Sequence, residues 1–212
     1  METLTNTGYV VGYDNTRKDP AWVAFCHRTA SSQHIPRPEK FMVDNRTTAK
    51  VASENYTRSG YDRGHMAPNY AIGICFGPKA QMETFLMSNI CPQKPDCNRK
   101  TWKRLEEKVV EYGRRFQEVW EITGPVFGSH PGRLRGGVEI PEAFYKILLN
   151  EDGGKIRVMA FVVPQSVTGT EPLERFLTRV DKTEKETGLD FFWELPDEVE
   201  NVLEATNPGR VW

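Results

Sequence analysis

A-F-Y-K-I-L-L-N-E-D-G-G-K-I-R-V-M-A-F-V-V, residues Ala143–Val163, holds two strand-like runs, Ala143–Leu149 and Lys155–Val163. Between them, E-D-G-G (Glu151–Gly154) is a strong hairpin signal, because adjacent glycines supply the positive φ that a tight turn demands. Just upstream, V-W-E-I-T-G-P-V-F (Val119–Phe127) reads as a further strand entering a Gly-Pro turn. Before it, Trp102, Leu105, Val109, Tyr112, Phe116 and Val119 step by three and four, one face of an α-helix beginning near Asn98–Thr101. Near the amino end, W-V-A-F-C (Trp22–Cys26) follows a break at Pro20 and reads as a buried strand. Pro172–Thr187 reads as a second amphipathic helix stopped by Gly188, while Met82–Ile90 fits helix and strand equally. Strands and helices do not alternate as in a parallel fold. The pattern predicts α+β, an antiparallel sheet core flanked by helices.

The chain has 212 residues, 38% hydrophobic and 27% charged, enough apolar material for one core. No repeat, low-complexity tract or linker divides it, so residues 1–212 read as one domain. Lysine and arginine (28) nearly balance aspartate and glutamate (29), a net charge of −1. That excludes a uniformly basic nucleic-acid coat and a polybasic membrane anchor; any anion site must be local. The charge is uneven: Arg99–Arg115 carries seven basic and three acidic residues, Thr170–Glu204 four and eleven. The longest apolar run, Val158–Val163, is too short to span a bilayer, and no membrane partner is expected. The amino end lacks the basic and apolar segments of a secretory leader, which fits either a protein acting where it is made or a mature form. Cys26, Cys75, Cys91 and Cys97 are too few for a disulfide scaffold and wrongly spaced for structural zinc. Free thiols are expected, with a Cys91–Cys97 bridge as the alternative.

Chemistry concentrates in Y-D-R-G-H-M-A-P, Tyr61–Pro68. Gly64 would let the backbone turn before His65, and Asp62 could pair with Arg63 and brace the loop. Histidine is the side chain whose ordinary pKa, ~6.5, lets it take a proton near neutrality. Further on stands S-N-I-C-P-Q-K-P-D-C-N-R-K-T-W-K-R-L-E, Ser88–Glu106, with neutral amides at Asn89, Gln93 and Asn98. An amide oxygen suits Mg²⁺, a hard ion that accepts few protein ligands. Asn98 also stands where a helix cap would, and spacing alone leaves both roles open. Glu106 is eight residues on, about 12 Å along a helix axis, too far to share an ion directly with Asn98.

D-R-G-H-M-A-P followed by N-I-x-P-Q-x-x-x-x-N-x-x-x-W-x-x-L-E resembles the DNA/RNA non-specific endonuclease family, the endonuclease G and Serratia nuclease type. The resemblance extends to W-V-A-F (Trp22–Phe25), I-T-G-P (Ile122–Pro125) and T-G-L-D-F-F-W-E-L-P (Thr187–Pro196). It implies a ββα-metal site in which His65 is the general base, Asn98 the one direct protein ligand to Mg²⁺, with Mn²⁺ as an alternative ion, and Glu106 the acid orienting metal-bound water. It matches Arg37 to a phosphate-contacting arginine, a catalytic role, and places Arg63, Asn89 and Gln93 among residues that support the site or bind substrate; Arg99 is a substrate-binding candidate from the local basic run. The implied activity is hydrolysis of phosphodiesters in DNA and RNA, single- or double-stranded, leaving 5′-phosphate and 3′-hydroxyl ends. A protein inhibitor and a homodimer are further partners the family suggests. Arg99, Lys100, Lys103 and Arg104 form a candidate strip for the substrate backbone. The competing expectation is a nucleic-acid-binding protein on the same fold with cleavage lost; a structural zinc module is a distant third.

Overall fold

The computed structural model describes residues 1–28 and 36–212. Its main sheet has seven strands in the order β1-β2-β3-β6-β7-β8-β9, every neighbouring pair antiparallel. These are β1 (Glu2–Asn6), β2 (Tyr9–Asp14), β3 (Asp19–Arg28), β6 (Glu118–Val126), β7 (Ala143–Asp152), β8 (Lys155–Pro164) and β9 (Leu177–Thr178). A separate pair, β4 (Asp62–His65) and β5 (Ile90–Gln93), is also antiparallel. Between them lie α1 (Asn69–Phe76) and α2 (Pro78–Glu83); α3 (Lys103–Phe116), α4 (Val180–Thr187) and α5 (Asp197–Glu204) complete the fold. The expected α+β class is what the chain adopts.

The hairpin forms as its turn chemistry dictates, with Gly153 and Gly154 at φ 60° and 78°. Strand β7 is buried on both faces. Phe144 and Leu148 join the core under α3, while Tyr145 and Ile147 point to a second core shared with Val180 of α4 and Leu203 of α5. Period-two alternation thus feeds two apolar layers from one strand. On α3, Leu105, Val109 and Tyr112 pack onto the first of these layers, as the helical spacing requires.

Several local expectations change. The helix stops at Gln117, whose φ of 67° breaks the helical path, so Val119 belongs to β6. Pro20 does not break β3 but lies inside it, paired with Tyr13 beside a bulge at Gly12/Tyr13, where the missing N–H is tolerated. The run from Pro172 is not one helix: Leu173–Phe176 makes a tight turn, Leu177–Thr178 adds an edge strand to β8, and α4 starts only at Val180. Gly188 does close α4, in the left-handed region at φ 71°. Met82–Ile90 is divided between the end of α2, a tight turn at Met87–Asn89 and the start of β5. All four cysteines are free, so Cys91 and Cys97 are not bridged. The polar loop expected over Ser31–Lys40 lies partly outside the described residues. No helix among the described residues is long and apolar enough to cross a membrane.

Candidate active site

Strand β4 carries the acid, arginine, glycine and histidine in extended backbone, with Gly64 opposite Cys91 and His65 opposite Ile90. Gly64 is therefore not a turn glycine. A Cβ there would stand 2.4 Å from Gln93 Oε1 and 2.7 Å from Gln93 Cβ, so the position needs a hydrogen because the neighbouring strand's side chain lies across it.

His65 sits in an aromatic socket, its ring edge-on to Phe85 at 4.8 Å between centroids and 5.5 Å from Phe41. It is 8% exposed, and its Nε2 is buried without a hydrogen-bond partner. Burial, and then the positive charge of Arg37, push its pKa down to about 3. The imidazole is thus neutral, with a nitrogen lone pair to offer, across the whole neutral range. The reference value of ~6.5 expected from the sequence does not survive this environment.

Asn98 lies in a wide helical turn, Cys97–Trp102, that leads into α3. Its backbone N–H donates to Lys94 O at 2.8 Å and its side-chain Nδ2 donates to Asp62 Oδ2 at 2.9 Å. A capping side chain would accept a backbone N–H, so the cap role is overturned. Arg99 donates to the same carboxylate from Nε at 2.8 Å and Nη2 at 2.6 Å. Against the cost of burial, hydrogen bonds from Arg99 and Asn98 hold the Asp62 carboxyl below its usual range. The expected Asp62–Arg63 pair does not form. Arg63 donates from Nη2 to Ser53 O at 2.6 Å, and its guanidinium lies over Tyr56 and Phe41.

One cavity of about 770 Å³ brings together His65, Asn98, Glu106, Arg37, Arg63 and Arg99. Glu106 is half-buried on α3 and is pushed up to about 8 by burial, which outweighs the opposing charge of Lys146. Lys146 is itself fully buried and paired with Glu121, whose other oxygen stands 3.0 Å from His27 Nε2. That triad lies under Trp102, with Lys146 Nζ 4.7 Å from the ring centre.

Asn89 and Gln93 do not reach the cavity. Asn89 is fully buried, accepting from Ala67 N at 2.8 Å and donating to Ala67 O and Thr84 O, which pins the segment just after His65. Gln93 is fully buried over Gly64, its Nε2 3.7 Å from Cys97 Sγ. Both stand behind the site, and a substrate contact is closed to them. The strip Arg99–Arg104 splits by helix phase. Arg99 and Lys103 line the cavity, whereas Lys100 donates to Thr168 O and Arg104 to Glu171 O on another side. Tyr70 and Arg114 also line it and were not singled out from the sequence. Tyr70 falls two residues after the Y-D-R-G-H-M-A-P segment; Arg114 shows only as part of the basic run.

A hard divalent cation fits this donor set. Among the described residues, with Nδ2 committed to Asp62, the Asn98 carbonyl oxygen is left to bind a cation. The same cavity holds the Glu106 carboxyl, which burial favours as the neutral acid and which a bound cation would hold ionised.

Residues 1–198 match the family model described as DNA/RNA non-specific endonuclease. The chain is 30% identical to a nuclease of Nostoc sp. over 95% of its length and 77% of that protein. It is 32% identical to mitochondrial endonuclease G of Homo sapiens over 86% of its length and 67% of that protein. Against mitochondrial nuclease EXOG of Homo sapiens, at 31% identity, it spans only 57% of the relative's length. The crystal structure of the EndoG/EndoGI complex superposes with a TM-score of 0.82 at 26% identity, covering 92% of this chain and 86% of the matched one. With the β4–β5 pair and α3 framing one cavity, and with that match over nearly its whole length, the chain belongs to the DNA/RNA non-specific endonuclease family.

Proposed function

We propose that this chain is a metal-dependent endonuclease that hydrolyses phosphodiesters in DNA and RNA without reading the sugar, leaving 5′-phosphate and 3′-hydroxyl ends. The observation that carries this reading is the pairing, in one cavity, of a neutral histidine and an asparagine whose amide N–H is tied to Asp62 and whose carbonyl oxygen has no hydrogen-bond donor among the described residues. His65 takes a proton from water as the water oxygen bonds to phosphorus, and the P–O3′ bond breaks, the departing oxygen taking a proton from solvent to end as the 3′-hydroxyl. Asn98 would hold the ion, Mg²⁺ or Mn²⁺, with Glu106 orienting water around it. When bound, the ion supplies charge neutralisation at a non-bridging oxygen and at the departing 3′ oxygen. Arg37 and Arg99 flank the cavity and suit a phosphate, Arg99 already being held by Asp62. The cavity's charged side chains can recognise a backbone that DNA and RNA share, which accords with cleavage of both. The EndoG/EndoGI complex makes a protein inhibitor a proposal for this chain as well.

The test is nicking of plasmid DNA and cleavage of a structured RNA with Mg²⁺, repeated with EDTA and with His65→Ala. Cleavage of both substrates by the wild-type chain, abolished by EDTA and slowed about 10²–10⁴-fold in His65→Ala, is the expected result. Binding without cleavage by the wild-type chain would instead assign it a carrier role.

A further inference from the structure

Apart from the His65 imidazole, Tyr70 is the one aromatic ring among the described residues lining the cavity, and it is 56% exposed. It occupies the second position of α1, whose Ala71, Ile72, Gly73 and Ile74 are all buried. The helix thus spends its apolar residues on the core and leaves one large ring outside it. Among the described residues, that ring stacks on no other aromatic and on no arginine or lysine, and its hydroxyl makes no hydrogen bond. The other rings of the site differ. Phe41 and Phe85 pack on His65 and lie beneath Arg63 and Arg37, so they are already occupied.

The cavity is also longer than one phosphate needs. Its α3 wall runs through Lys103, Glu106, Val110 and Arg114, consecutive steps of one helix face. Glu106 and Arg114 are eight residues apart, about 12 Å along the axis. The Arg114 cation therefore stands well away from Glu106, with half-buried Val110 as an apolar step between. A flanking nucleotide presents what these groups complement: a planar apolar face and a charged backbone.

Resting on the nuclease reading above, we propose that Tyr70 is the platform of a nucleobase subsite, on which a base flanking the scissile phosphate stacks while Arg114 holds a neighbouring phosphate. Every base has a π-face, so such a platform adds affinity without sequence preference. It can act only on a base free to leave its neighbours. In a duplex that base is stacked on both sides, and unstacking it costs what the tyrosine returns. The subsite therefore favours single-stranded DNA and RNA over duplex of the same sequence.

The experiment measures binding of a single-stranded oligonucleotide and its duplex in EDTA, followed by cleavage of each with Mg²⁺, for wild type, Tyr70→Ala, Tyr70→Phe and Tyr70→Trp. Tyr70→Ala should lose roughly tenfold in single-strand affinity and in single-strand kcat/KM, with the duplex values little changed. Tyr70→Phe and Tyr70→Trp, which keep a ring, should retain the single-strand preference. Oligonucleotides with one abasic site walked along the strand should show a position where wild type and Tyr70→Ala become equal. Equal losses on single strand and duplex, or a loss in Tyr70→Phe as large as in Tyr70→Ala, would overturn the subsite, since the hydroxyl or the fold would then be responsible. A wild-type chain that neither binds nor cleaves would overturn the nuclease reading and the subsite with it.

Discussion

The Asn98 side chain donates from Nδ2 to Asp62 Oδ2 at 2.9 Å, and this bond across 36 positions decides which end of the amide remains for a cation. An amide has a donor end and an acceptor end. Tying the donor to a carboxylate turns the acceptor outward and, by polarising the amide, makes its oxygen a better ligand. Removing the carboxylate should therefore act through the metal. Asp62→Ala should raise the Mg²⁺ concentration for half-maximal cleavage by about 10- to 100-fold while leaving the rate at saturating Mg²⁺ close to wild type. A metal titration of cleavage rate checks this. An unchanged midpoint would mean that Asn98 is oriented by something else.

Base and ligand should separate in their response to metal. His65→Ala removes the proton acceptor, which should cost about 10²–10⁴ in rate at any metal concentration. Asn98→Ala removes one neutral oxygen ligand, so high Mg²⁺ or Mn²⁺ should restore part of its activity. Asn98→Asp should bind the ion, yet its added negative charge should weaken the ion's pull on the phosphate and slow cleavage. Rescue of His65→Ala by metal would assign the base elsewhere.

The burial of His65 carries a stability consequence with a definite sign. Its folded pKa of about 3 lies below the ~6.5 of an unfolded chain. Between those values the unfolded chain binds a proton that the folded chain refuses, so stability falls as pH drops through that window and is full above it. Metal-free wild type should lose more thermal stability than His65→Gln between neutral and mildly acid pH. Parallel curves for the two proteins would show that the ring is not held neutral. For the same reason, kcat/KM should show no acid limb near pH 6.5 assignable to His65.

Helix phase divides the basic strip, and salt should expose the division. For duplex DNA each phosphate contact contributes a slope of roughly −0.9 in log affinity against log salt. In a His65→Ala background, Lys103→Glu and Arg114→Glu should each flatten the slope by about one contact. Lys100→Glu and Arg104→Glu should not, since both cations face the Thr168–Glu171 loop. Equal effects from all four would mean that charge acts at long range rather than in the cavity.

Beneath the Cys97–Trp102 turn, Lys146 and Glu121 are both fully buried and depend on each other. Lys146→Ala would leave Glu121 with only His27 as a partner and should cost about 3–5 kcal/mol. Denaturant unfolding gives the number. A Lys146→Ala, Glu121→Ala double variant should recover part of it, because no unpaired charge remains. Loss of under about 1 kcal/mol in the single variant would mean that the pair is hydrated.

What the sequence determined by itself is the part encoded in short-range pattern. Two glycines at a fixed place in an apolar run make the β7–β8 turn, steps of three and four make α3, and the His65 and Asn98 segments mark the family. These rest on backbone preference and periodicity, which neighbours in the chain control. The tertiary structure decided partner choice. Asp62 stands beside Arg63 in the chain yet bonds Arg99, because adjacent residues of a strand point to opposite faces while the α3 turn lies across from one of them. Gly64 looked like a turn and is instead a gap for Gln93, a fact set by strand register. Arg99 with Lys103, and Lys100 with Arg104, were readable as two rows four residues apart; which row faces the cavity was not. The His65 pKa followed suit, since burial by Phe41 and Phe85 and the charge of Arg37 come from segments far away in the chain. Desolvation and charge act through space, and only the fold fixes those distances.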